Sequence, residues 1–283
     1  MDCRRRRRVS VAVLALLNVP HNSVMSKTVL ASMPASAPVL RAAIEAIVFD
    51  LDDTLWPIAP TIKRAEQAMV DWIHVNAPAV AARWDTDTLK QLRADLIAAN
   101  PAVKNDVMAL RRGTIFSAFA ALGGSTAQAE GAFACFRAAR QQVSLYPDAL
   151  PALVRLSKAF RLGVISNGFA DVGVIGIGGY FETVVSAHEV GVSKPDPRIY
   201  AACVARMGLA PARMLYVGDD PHNDVIGPTA AGLRAAWINR LGASWPETIG
   251  GSASPDYTFS DLGAFADTML GVAAGAGAGA GAA

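Results

Sequence analysis

Lysine is scarce in this chain: six residues among 283, against twenty arginines. Cysteine is scarcer still, with Cys3, Cys135 and Cys203 scattered and odd in number. That pattern excludes a disulfide framework and a thiolate metal motif, and it suits a reducing compartment. No apolar run approaches the roughly eighteen residues a membrane helix needs. The nearest, Val9–Val19, is eleven residues long. Nor is there a basic surplus for nucleic acid. Five arginines and one aspartate fall within the first 24 residues, so the formal charge of +2 becomes −2 without them. What the chain does have is apolar material: 52% of its residues are hydrophobic and 18% charged, enough for a sizeable core.

The first forty residues stand apart. A run of arginines, Arg4 to Arg8, precedes VSVAVLALLNV, which has the charge and hydropathy of a secretory signal. The small residues that would suit cleavage, at 31–37, lie more than ten residues beyond the apolar run. Synthesis beginning at Met25 or Met33 is the preferred reading. Residues 1–40 are therefore set aside as a disordered or non-native extension, with a signal as the alternative. The Gly/Ala-rich tail at 271–283 has no side chains to pack and is expected to be disordered.

The stretch FDLDDTLW, Phe49 to Trp56, follows the short β-branched run Ile44–Val48, which predicts a buried strand. If strand geometry persists to Asp52, Asp50 and Asp52 point to the same side. Two carboxylates that close require a cation or a shared proton. Alone, such a pair is more commonly a solvated turn.

Pro57 and Pro60 then break the chain, and helical spacing prevails to about residue 145. The predicted helices are Pro60–Asn76, Thr88–Ala99, Val103–Leu122 and Thr126–Val143, the last capped by Ser125. They read as a helical module, 59–145, inserted into a second body made of 41–58 and 146–270. In that body helix and strand alternate. Strands are expected at Leu162–Ser166, Thr183–Ser186, Met214–Val217, Arg234–Ile238 and Asp256–Phe259. Helices are expected at Asp148–Phe160, Pro197–Met207, from the Asp219 region to Ala231, and at Asp261–Leu270. Asp196 should cap the second of these, with Pro197 as its first residue. The glycines between Gly173 and Gly179 do not match a dinucleotide fingerprint.

Alternating strands and helices predict an α/β fold, a doubly wound parallel sheet of Rossmann-like form. Ligands of such sheets bind beyond the carboxyl ends of the strands. Polar motifs fall at four such ends: Asp50/Asp52, Ser166, the loop carrying Lys194, and Asp219/Asp224. Acids and one lysine around a pocket suit Mg²⁺ and a phosphate, with Asp50, Asp52, Asp219 and Asp224 as candidate metal ligands. Thr54, Ser166, Asn167 and Lys194 are candidates for holding the phosphate. Asp50 is the candidate nucleophile, Asp52 the acid and base, and Lys194 the counter-charge. His222 is expected to be exposed beside the site, and Arg111 and Arg112 to form a solvated face rather than to touch substrate.

DLDDT at 50–54, Ser166, Lys194 and GDDPHND at 218–224 together resemble, in order, the four motifs of the haloacid dehalogenase superfamily. The resemblance covers Ile44 to about Leu270 and implies a helical cap at the inserted module. Dehalogenases of that superfamily usually lack the second acid, so Asp52 points to a phosphatase. Three stretches are similar to a bacterial group that includes phosphatases of flavin mononucleotide and of 5-amino-6-(5-phospho-D-ribitylamino)uracil. The expectation is a cytoplasmic Mg²⁺-dependent phosphomonoester hydrolase, monomeric or homodimeric, acting on a small phosphorylated metabolite. Closure of the cap about hinges near Pro57 and Pro147 is expected to exclude water. A phosphomutase, a 2-haloacid dehalogenase and a non-catalytic binding module are the alternatives.

Overall fold

A computed structural model of the chain describes residues 43–101, 103, 106–246 and 254–272. The extension and all but the first two residues of the tail lie outside them. Six strands form one fully parallel sheet in the order β3-β2-β1-β4-β5-β6. They are β1 (Ala46–Phe49), β2 (Arg161–Ser166), β3 (Thr183–Ser186), β4 (Met214–Gly218), β5 (Arg234–Ile238) and β6 (Tyr257–Phe259). The chain is a doubly wound, Rossmann-like α/β protein.

The helices are α1 (Ile58–Asn76), α2 (Pro78–Ala81), α3 (Thr86–Ala99), α4 (Val107–Ala121), α5 (Thr126–Arg140) and α6 (Ala149–Leu156). Beyond β2 come α7 (Val172–Ile175), α8 (Ala187–Val190), α9 (Pro197–Met207), α10 (Gly227–Ala230) and α11 (Leu262–Leu270). A π-helical turn, Pro221–Ile226, leads into α10.

Strand β1 is central and buried along its whole length, which is why Ala46–Phe49 carries no polar residue. Its alternation supplies two cores. Ile47 and Phe49 join Val164, Val217, Leu153 and Phe265, whereas Ala46 and Val48 join Ile165, Tyr216, Ile199 and Met207. Full burial of a side chain such as Phe49 contributes about 1.5–3 kcal/mol.

Register places the site. Phe49 pairs with Val164 on one side and Val217 on the other, so β2, β1 and β4 end side by side. The chain runs outward from β1 to β2 and β3, then returns to the opposite side for β4 to β6. The switch in strand order therefore falls between β1 and β4.

Two compact units are present. Among the described residues, one comprises 62–101, 103 and 109–139 and is wholly helical; the other comprises 43–61, 106–108, 140–246 and 254–272 and contains the sheet. Local chemistry accounts for the helix starts. Asp85 accepts from Thr88 N and caps α3. Ser125 and Gln128 form a reciprocal capping box at α5. Asp196 accepts from Arg198 N, with Pro197 first in α9.

Several expected boundaries shift. The helix expected at 148–160 closes at Leu156, because the chain turns at 157–160 to enter β2, where Arg161 N bonds Glu45 O. The single-turn α2, begun by Pro78, was not expected. Nor does strand geometry persist to Asp52. Asp53 adopts φ of 62°, in the left-handed region that aspartate tolerates better than most residues. The turn is closed by Leu55 N to Leu51 O and Asp53 N to Trp56 O.

Candidate active site

Asp50 is the first residue beyond β1, and its N–H extends the ladder by bonding Val217 O at 2.9 Å. Its carboxylate meets Lys194, whose Nζ donates to Asp50 Oδ1 at 2.6 Å, Asp224 Oδ1 at 2.7 Å and the Tyr216 hydroxyl at 2.9 Å. All three ammonium protons are thus committed. Tyr216, in β4, passes its own proton to Ile165 O at 3.1 Å. The lysine is held from its backbone as well. Lys194 N donates to Asn167 Oδ1 at 2.7 Å, and Asn167 Nδ2 donates to Lys194 O at 3.1 Å.

Asp50, Asp219 and Asp224 present carboxylate oxygens that all lie within 4.8 Å of one another. Burial pushes Asp50 up to about 7, with Lys194 opposing the shift and Asp224 adding to it. Burial likewise pushes Asp219 up to about 9, reinforced by Asp50 and Asp224. Lys194 is also disfavoured by burial, but Asp224 and Asp50 outweigh that and hold it well above the ordinary lysine range. Three carboxylates against one ammonium leave a formal charge of −2 when all are ionised. Hard oxygen donors with that residual charge fit Mg²⁺, and neither sulfur nor imidazole is present in the group.

The backbone around these acids is built for them. A Cβ on Gly218 would sit 2.3 Å from Asp224 Cγ, so only glycine lets that side chain lie against β4. Asp224 Oδ2 accepts from Asp220 N, while Asp220 Oδ1 caps the π-helical turn through His222 N and Asn223 N. Trp237 Nε1 donates to Asp219 O at 2.7 Å.

Asp52, a candidate metal ligand, does not contribute its carboxylate to the metal-capable group of Asp50, Asp219 and Asp224. The turn at Asp53 sends it elsewhere, where its Oδ1 accepts from Trp56 Nε1 at 2.8 Å and Arg140 Nη2 at 2.5 Å. Thr54 is fully buried and donates to Asp219 Oδ1 at 3.3 Å, so its hydroxyl is spent beneath the acids rather than on a phosphate. Asn167 commits its Oδ1 and one Nδ2 proton to the Lys194 backbone and keeps its second amide proton to donate. Ser166 Oγ accepts from Gly168 N at 2.9 Å and keeps its own proton to donate.

His222 is exposed, as expected. Arg111 and Arg112 make ion pairs with Glu66 and Glu130 and lie over the Phe136 and Phe116 rings. Tyr216 and Arg140 were not anticipated. A hydroxyl within the apolar run MLYVG, just before GDD, was a usable sign of the first. The helix end FRAAR carried none of the second.

The haloacid dehalogenase-like hydrolase family model matches residues 44–232. The 5-amino-6-(5-phospho-D-ribitylamino)uracil phosphatase YigB of Escherichia coli is 33% identical over 199 residues, 69% of this chain and 83% of the relative. A phosphoserine phosphatase of Thermus thermophilus is 35% identical over 148 residues, 50% of this chain and 57% of its own. The crystal structure of a 2-haloacid dehalogenase from Pseudomonas syringae pv. Tomato DC3000 has a TM-score of 0.75 at 34% identity, covering 81% of this chain and 100% of that one. With these likenesses added to a parallel sheet whose strand ends gather Asp50, Ser166, Lys194, Asp219 and Asp224, the chain belongs to the haloacid dehalogenase-like hydrolase family.

Proposed function

We propose that this enzyme is a Mg²⁺-dependent phosphatase that hydrolyses a small phosphorylated metabolite through phospho-Asp50. The observation that carries the reading is Lys194 Nζ, bonded to both Asp50 and Asp224 at the switch in strand order. A buried ammonium there lets a dianionic phosphoryl group approach a carboxylate nucleophile. Asp50, Asp219 and Asp224 would hold Mg²⁺, which when bound offsets charge on the phosphoryl oxygens.

Asp50 attacks phosphorus, and the bond from phosphorus to the ester oxygen breaks as the bond to the carboxylate forms. Asp52 gives its proton to the departing alcohol. It then takes one from the water that cleaves phospho-Asp50, restoring both aspartates. Ser166 donates its free proton to a phosphoryl oxygen, and Lys194 stays protonated throughout.

The YigB likeness makes 5-amino-6-(5-phospho-D-ribitylamino)uracil the first substrate to assay, and the sequence resemblance described above makes flavin mononucleotide the second, for a proposed cytoplasmic step of riboflavin formation. A 2-haloacid dehalogenase is the second reading, favoured by the Pseudomonas structure. Asp52 weighs against it, because displacing halide from carbon needs no proton for the leaving group. Asp50→Asn should abolish Mg²⁺-dependent phosphate release from p-nitrophenyl phosphate and from both metabolites. Turnover retained by that variant would overturn the mechanism, and halide release from 2-chloropropionate without phosphatase activity would favour the second reading.

A further inference from the structure

We propose that Arg140 is the positioning residue for Asp52, fixing which carboxylate oxygen exchanges the proton with the leaving group and the attacking water. The inference rests on the phosphatase reading above and adds to it a residue from the last position of α5.

Arginine is seldom buried, yet the Arg140 side chain is only 2% exposed. Its Nη2 lies 2.5 Å from Asp52 Oδ1, and Trp56 Nε1 lies 2.8 Å from the same atom. Two donors on Oδ1 leave Oδ2 as the oxygen for proton exchange. Gly168 shows where Oδ2 points. A Cβ there would lie 2.9 Å from Asp52 Oδ2, 3.3 Å from Ser166 Oγ and 3.8 Å from Arg140 Nη2. Oδ2 therefore faces the same bare backbone as the hydroxyl assigned to the phosphate, the side on which an ester oxygen would emerge.

Among the described residues Arg140 Nη1 has no hydrogen-bond partner, although it is buried. A side chain kept only to fill space would be apolar or fully paired. A buried guanidinium with one donor unspent costs the fold, which leaves the bond from Nη2 to Asp52, beside a 5.9 Å approach to the Phe169 ring, as what it supplies.

Leaving-group dependence gives the test. p-Nitrophenolate departs as a stable anion and needs little help, whereas an alkyl phosphate such as flavin mononucleotide needs a proton. Phosphoenzyme formation is followed in single-turnover experiments with both esters, for wild type, Arg140→Ala, Arg140→Lys, Asp52→Asn and the double variant Arg140→Ala/Asp52→Asn. Arg140→Ala should slow the alkyl ester by roughly 100-fold, the size of a lost general acid. It should slow the nitrophenyl ester by less than about tenfold on the same scale. In the Asp52→Asn background it should add nothing, since positioning acts only through Asp52.

Equal loss on both esters, or full additivity with Asp52→Asn, would overturn the proposal. Arg140→Lys, which keeps a cationic donor, should retain much of the difference between esters. If Arg140→Ala does not fold, Arg140→Met, which fills the space without a donor, decides: an unchanged ratio between esters overturns the proposal, and a shifted ratio supports it. Asp50→Asn separates the two readings. Turnover by that variant overturns the phosphatase mechanism, whereas its inactivity beside unselective Arg140 variants overturns only the role of Arg140.

Discussion

The side chain of Asn167 grips the backbone of Lys194 from both sides, accepting from its N–H and donating to its carbonyl. Two loops 27 residues apart in sequence are thereby locked together at the ends of β2 and β3. Asn167→Ala should lower stability by about 1–3 kcal/mol, the net worth of two such bonds. Turnover should fall with the displacement of Lys194, and Asn167→Asp, which keeps the acceptor but sets a second carboxylate oxygen against the Lys194 carbonyl, should not rescue it. Urea unfolding together with kcat on p-nitrophenyl phosphate checks both.

Lys194→Met should be more severe. It strands Asp50 and Asp224 inside the protein without their shared counter-charge, an arrangement that costs about 3–5 kcal/mol. Turnover should disappear. Thermal unfolding in EDTA should show the loss in full, and Mg²⁺ should restore part of the melting temperature without restoring catalysis.

Stability without a divalent cation should decline as pH rises. A carboxyl whose folded pKa lies above its ordinary 3.8 adds stability that is complete below 3.8 and disappears as pH passes the folded value. That value is about 7 for Asp50 and about 9 for Asp219. Melting curves in EDTA from pH 5 to 9 should fall progressively, and added Mg²⁺ should raise the melting temperature most at the alkaline end. A pH-independent effect of Mg²⁺ would contradict the assignment of these two acids as its ligands.

Thr54→Val separates two roles for one hydroxyl. Thr54 supports Asp219, so the variant should weaken the apparent Mg²⁺ affinity about tenfold, as loss of a ligand's outer hydrogen bond does. KM for the phosphate ester at saturating Mg²⁺ should be unchanged. A raised KM under those conditions would restore Thr54 as a phosphate contact.

Gly168→Ala should spare the fold and damage the site. The new methyl would lie 2.9 Å from Asp52 Oδ2, in the space in front of Ser166. Melting temperature should change little, while kcat on alkyl phosphates drops at least tenfold, on the scale of general acid–base effects. Gly218→Ala makes the contrast, since its methyl meets Asp224 at 2.3 Å within the core and should cost about 1–3 kcal/mol of stability.

Much of this could be read from residues close together in the chain. β-Branched runs ending in acids, Asp196-Pro197 before a helix and Ser125 three residues before Gln128 are local codes, and the chain obeys each of them. Because strands that alternate with helices lie parallel, their carboxyl ends share one edge. The sequence by itself therefore determined the fold class and the gathering of Asp50, Ser166, Lys194, Asp219 and Asp224. The Asp52 carboxylate could not be separated from the metal group by pattern alone, because its direction depends on a left-handed residue, Asp53, that no periodicity announces. Thr54 was assigned to phosphate because a free hydroxyl looks like a ligand group until its partner is known.

Only the tertiary structure decided those partners: Thr54 on Asp219, Asn167 on the Lys194 backbone, Tyr216 beneath Lys194, and Arg140 on Asp52. Lys194 and Asp50 are 144 residues apart, and Arg140 and Asp52 are 88 apart. Contacts at such separations follow from strand register and from where the chain re-enters the sheet-bearing unit, which no local pattern specifies. Local pattern fixes which residue types stand at a strand end; long-range packing fixes which oxygen each of them is left with.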